Sequence, residues 1–157
     1  MSIDSLSVLP PRLAEILETF GLSDPQGKME LLLEFAESLL PIPEELADLA
    51  GQPELVPECM TPVTVYMHQH EGRLRFYFGV PPEAPTIRGY AAILQQGLWD
   101  VTPNEVLQIP EDLYSAMGLL HILTPQRVNG LIAILAHIKR LATQALTLPP
   151  ASHPTNL

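Results

Sequence analysis

The spacing of hydrophobic positions switches between two periods along the chain. Leu13, Ile16, Leu17 and Phe20 recur at helical spacing and Gly21 follows as a stop signal, which predicts a short first helix. Asp24 before Pro25 reads as a cap followed by a first-turn proline, and Met29, Leu32, Leu33, Ala36 and Leu40 lay one apolar stripe along a second helix. These two helices are expected to pair antiparallel. Core packing accounts for both stripes, so neither is assigned any chemistry.

PIPEELADLAGQPELVPE, residues 41–58, interrupts the pattern with four prolines and one glycine, and reads as a connector with room for one helical turn near 44–49. The period then becomes two. VTVYMHQH alternates Val63, Val65 and Met67 against Thr64, Tyr66 and His68, and RLRFYFG alternates Leu74, Phe76 and Phe78 against Arg73, Arg75 and Tyr77. Glu71-Gly72 between them predicts a tight hairpin turn.

Helical spacing returns after VPPEAPT with Ile87, Tyr90, Ala91, Leu94 and Leu98. Thr102-Pro103-Asn104-Glu105 has the order of a capping box and opens a brief helix ending near Gln108. Thr124-Pro125 repeats the cap-plus-proline signal before the longest stripe, Val128, Leu131, Ile132, Leu135, Ile138 and Ala142, a final helix expected to pack across the sheet. PPASHPTNL has no period. The chain is therefore expected to form a single domain over residues 1–147 with a disordered tail over 148–157. The fold class is α+β: a small, mainly antiparallel sheet led by the hairpin over 63–79, with helices packed on one side of it.

Composition narrows the function. Eight Lys and Arg against eighteen Asp and Glu leave a net charge of -10, which serves phosphate neutralisation poorly and speaks against nucleic acid as a partner. No apolar run approaches the ~18 residues of a spanning helix, and MSIDSLSVLPPRL lacks the basic-then-apolar order of a signal peptide, so no membrane role is expected and the location expected is cytoplasmic. A lone cysteine, Cys59, permits no internal disulfide and fits a reducing compartment.

Cys59 lies in LVPECMTPV between Pro57 and Pro62, both of which disfavour helix around it, so the thiol is expected on a stiffened bend between connector and hairpin. A buried structural thiol and a reactive one both remain open at this point. Glu54 and Glu58, if close to the sulfur, oppose thiolate formation, which is not the setting of a cysteine that acts alone. His68 and His70 share one strand face and with Cys59 offer three potential zinc ligands. A cysteine hydrolase would need Cys59 with a base such as His121, and no local signature supports one.

Several separated segments, LLPIPEEL, LVPECMTPV, IRGYAAIL and LLHILTPQRVNGL, resemble in order and spacing the SufE-like sulfur acceptors of iron-sulfur cluster assembly, over roughly Arg12 to Ala145. The resemblance implies a SufE/IscU-like fold and a cysteine, in the pattern V-x-G-C-x-S-x-V, that takes sulfur from the persulfide of a pyridoxal-phosphate cysteine desulfurase and carries it onward. Cys59 stands at that position, Val56 and Val63 match, and Thr61 replaces the serine. Glu58 stands where the family has glycine, and Thr64 where a tryptophan is common. Arg88-Gly89 matches a basic-residue-plus-glycine pair at a helix start, Glu83 matches an acidic position shortly before it, and Pro81 replaces a nearby aspartate. Arg127, Asn129 and Gly130 match the last motif.

By this resemblance Cys59 is the persulfide acceptor, while Glu58, Thr61, Glu83, Arg88, Arg127 and Asn129 bind the partner or orient the loop. The partner implied is a SufS-like cysteine desulfurase, which the protein would also stimulate, followed by a cluster scaffold that takes the sulfur on. No cofactor and no turnover of its own are implied. The reading of a different class is a metal- or cluster-binding scaffold using Cys59, His68 and His70. Cluster scaffolds, however, need several thiolates.

Overall fold

The computed structural model describes residues 9–46, 54–55 and 62–147. Two helices come first, α1 (Pro11–Gly21) and α2 (Pro25–Glu37), then strands β1 (Glu54–Leu55), β2 (Thr64–His70) and β3 (Arg73–Gly79). Helices α3 (Pro85–Gly97), α4 (Pro103–Leu107), α5 (Leu113–Ala116) and α6 (Pro125–Thr147) follow, with a 3-10 turn at Leu119–His121 between the last two.

The strands form one antiparallel sheet in the order β1-β2-β3. Its hairpin closes at Glu71 and Gly72, whose φ angles of 52° and 78° are the positive pair that a two-residue turn demands. Thr64 faces Gly79 and His70 faces Arg73. Side chains alternate about this register, so Val65, Met67, Leu74, Phe76 and Phe78 lie on one face and Thr64, Tyr66, His68, His70, Arg73, Arg75 and Tyr77 on the other. The first face closes the core with Leu13, Phe20, Tyr90, Leu94, Leu131 and Ile138.

The caps work as their residues dictate. Asp24 accepts from the Gly27 amide at 2.7 Å, and Thr102 and Glu105 exchange both bonds of the capping box. The Thr124 hydroxyl accepts from the Arg127 amide at 3.3 Å.

The structure corrects three details. The stripe on α2 is rotated, with Leu32 and Ala36 buried and Leu33 41% exposed, and the helix stops at Glu37, so that Leu40, 45% exposed, lies beyond it. The cause is that α2 packs more extensively on α3 than on α1, although Phe20 and Phe35 stack at 6.2 Å between the first two helices. A Cβ on Gly89 would run into the Leu32 carbonyl oxygen and lie 2.9 Å from its carbonyl carbon, so the absent side chain is what lets α2 and α3 meet at Leu32. On α6, Ile132 faces solvent while the other five residues of the stripe are buried, and the helix touches β2 but packs more extensively on α4. The connector also contributes a strand, β1, in addition to the helical residues 44–46. The proposed tail over 148–157 lies outside the described residues.

Candidate functional site

The register locates one end of the sheet. Leu55 pairs with Thr64 and Thr64 with Gly79, so the chain leaves β1 and returns through Pro62 and Val63 at the same end where β3 stops. Cys59, Glu58 and Thr61 lie outside the described residues. In the chain, Cys59 stands four positions after Leu55 and three before Pro62.

Gly79 is needed where it stands. A Cβ there would overlap the Thr64 hydroxyl oxygen, and Ile42 of the connector sits 3.6 Å from the same point. Thr64 thus fills the space over Gly79, with Ile42 beside the pair.

Beyond Gly79 the backbone turns through Pro81 to Ala84, whose amide donates to the Pro81 carbonyl at 3.1 Å, and enters α3 at Pro85. Arg88, one turn into α3, donates from a terminal guanidinium nitrogen to the Val80 carbonyl at 2.8 Å. That carbonyl is the first beyond the strand, so the bond fastens the end of β3 to the helix. Arg88 is half-buried and Glu83 is exposed. Glu83, in the turn, and Arg88, on α3, thus both follow closely on the end of β3. Arg127, half-buried, and Asn129, exposed, stand on a separate element, the first two turns of α6.

Sequence reasoning missed Gln95. It is completely buried on α3, donates through its amide nitrogen to the Phe76 carbonyl at 3.0 Å, and accepts from the Leu40 amide at 2.9 Å. It ties the start of the connector to the outer edge of β3. Val101 closes the same edge farther along, exchanging backbone bonds with Leu74 at 2.6 and 3.3 Å. An edge strand is thus covered along part of its length rather than left open. The only signal available was a glutamine inside an apolar helical run.

The polar sheet face carries a second cluster. Arg75 makes a two-pronged pair with Asp100 at 2.6 and 3.1 Å, and its guanidinium lies 4.3 Å from the centre of the Trp99 ring. Asp100 takes φ 59°, a conformation that aspartate tolerates better than most residues. The bond from Arg75 holds the Asp100 carboxyl below its ordinary pKa. Burial, aided by the Arg75 charge, pushes the His68 imidazole below its ordinary value.

The His68 and His70 rings are parallel, 6.5 Å apart, beside Arg75 in a hollow of about 340 Å³. Among the described residues no three His, Cys, Asp or Glu side chains are grouped so as to hold a metal ion. Nor is any described helix long and apolar enough to cross a membrane.

Comparison with known proteins agrees in extent with the segments quoted from the sequence. The model of the SufE family, described as an Fe-S metabolism associated domain, matches residues 14–142. An uncharacterized SufE-like protein of Mycobacterium tuberculosis is 41% identical over 138 residues, covering 87% of this chain and 95% of its own. A second, from Synechocystis, is 34% identical over 141 residues, covering 89% and 84%. A Plasmodium vivax protein named cysteine desulfuration protein SufE is 24% identical over 144 residues, covering 88% of this chain and 55% of its own. The solution structure of a hypothetical protein from Thermus thermophilus superposes with a TM-score of 0.77 at 36% identity, covering 89% of this chain and 99% of that one.

Proposed function

This chain belongs to the SufE family, and from that premise we propose that Cys59 takes a sulfur atom from the persulfide of a SufS-like cysteine desulfurase, stimulates that enzyme, and hands the sulfur to a cluster scaffold. The observation that carries the reading is the match to the family over residues 14–142 with the chain's one cysteine inside it, in LVPECMTPV. Support comes from the anchoring of that segment, which leaves and rejoins the sheet at one end, beside the Val80–Arg88 fastening.

The chemistry needs a thiolate with access. The Cys59 sulfur attacks the outer sulfur of the enzyme's persulfide, a new S–S bond forms on Cys59, and the enzyme's own cysteine leaves as a thiolate. No net oxidation occurs, because the persulfide already carries the oxidised sulfur. Glu58 adjoins Cys59 in sequence, and a carboxylate close to the sulfur opposes the charge on it. The desulfurase pocket is therefore proposed to supply the favourable field that Cys59 lacks at home.

Residues 1–147 act in this reading as one domain, with 148–157 as a tail, in the cytoplasm. The protein is the carrier, and turnover resides in the pyridoxal-phosphate partner. The alkylation rate of Cys59, followed against pH with and without the desulfurase, tests the proposed effect of the partner's field. A profile displaced to lower pH in the complex is expected, and identical profiles would reject it.

A further inference from the structure

Beside the same sheet end, α2, α3 and the turn before α3 enclose an open groove of about 460 Å³, lined by Leu33, Ala36, Glu37, Pro82, Pro85 and Arg88. It exists because α2 and α3 meet at backbone distance through Gly89 and Leu32, which brings Ala36 down as a floor and leaves Leu33 standing as a wall. Two prolines form the opposite wall, and their fixed backbone makes it rigid. Leu33 accordingly spends 41% of its surface on solvent, on a helix whose neighbouring residues Leu32 and Ala36 are buried.

Four of the six lining residues are apolar, and the remaining two carry opposite charges. Arg88 has one guanidinium nitrogen committed to the Val80 carbonyl. It is one of only eight Lys and Arg in a chain of net charge -10, so a cation at this groove is distinctive on the molecule's surface. A complementary occupant presents a leucine-sized side chain to Leu33 and the prolines, a carboxylate to Arg88, and a cationic or N–H donor to Glu37. The groove adjoins, through the Arg88–Val80 bond, the end of the sheet to which the segment carrying Cys59 is joined on both sides, at Leu55 and Pro62.

We propose that this groove is the docking site for a segment of the cysteine desulfurase of that composition, an apolar side chain flanked by an acid and a base. It would hold the two proteins together while the Cys59 segment reaches into the enzyme. The inference rests on the sulfur-acceptor reading, and its test keeps the two apart.

The host's cysteine desulfurases are titrated, without cysteine, against the wild-type protein and the variants Leu33→Glu, Leu33→Gln and Leu22→Glu. Leu22 is 85% exposed and lines a different groove, beside Ala14 and Ser115. Leu33→Glu should weaken binding by at least about tenfold and Leu33→Gln by a few-fold, with unchanged helical circular dichroism, while Leu22→Glu binds as the wild type does. With cysteine added and the desulfurase saturating, Leu33→Glu should still gain one sulfur on Cys59. Equal affinity of Leu33→Glu and wild type would overturn the groove and leave the sulfur-acceptor reading standing. Wild-type protein that binds no desulfurase, or binds and gains no sulfur, would overturn that reading and the groove with it. Sedimentation of the protein alone gives the remaining arm: self-association that Leu33→Glu abolishes would assign the groove to a second copy of this chain and overturn the proposal.

Discussion

Arg88 reaches back along α3 and donates at 2.8 Å to the carbonyl of Val80, so a single guanidinium joins the first residue beyond β3 to the helix behind it. The bond spans eight residues and the whole Pro81–Ala84 turn. It gives the basic position of this motif a structural duty independent of any partner.

Arg88→Ala should therefore cost about 1 kcal/mol of stability, the usual net worth of one such bond. Urea denaturation measures this as a lower midpoint at unchanged slope. Arg88→Lys, which cannot reproduce the planar fork, should fall between the two.

Gly89→Ala should destabilise the protein by about 1–3 kcal/mol through overpacking, although alanine is the better helix former by about 1 kcal/mol. The methyl group would have to displace the backbone of α2 at Leu32 rather than a side chain. Thermal melting of the variant checks this, and an unchanged or higher melting temperature would contradict the close helix contact.

Much of this fold was legible because binary pattern and caps agreed. The turn at Glu71 and Gly72, the capping box at Thr102 and the alternation in β2 and β3 all follow from local chemistry. The rotation of α2 did not follow from its own residues, since Leu33 and Leu32 are equally apolar. Only Gly89, some 55 residues later and on another element, decides that Leu32 faces inward. Gln95 was hidden for the same reason: its two partners, Leu40 and Phe76, are distant in sequence. At the candidate site, the motif resemblance picked out Glu83 and Arg88, but their shared position at the sheet end depends on a register that no local signal encodes.

Gln95→Leu should lose about 1–3 kcal/mol, the cost of leaving a buried polar group unsatisfied, because the Phe76 carbonyl and the Leu40 amide each lose their partner. Hydrogen exchange should then show faster exchange at Leu40 than the global loss explains, locating the defect at the start of the connector.

Stability should fall as pH drops from 7 toward 5, in part through His68. Its pKa lies below the ordinary 6.5 in the folded protein, so the unfolded chain takes the proton more readily. The contribution is whole above the unfolded value and is lost as pH falls through the folded one. His68→Gln should flatten the dependence in this window, measured by denaturation at several pH values. Asp100, also held low, acts in a more acidic window below its ordinary 3.8.

The central claim is that Cys59 accepts sulfur. The purified protein is mixed with a cysteine desulfurase and cysteine without reductant, then weighed intact and after digestion. The account predicts a gain of one sulfur mass on the peptide containing Cys59, absent from a Cys59→Ser variant that keeps its helical circular dichroism. An unmodified wild-type protein beside a desulfurase that is turning over would contradict it.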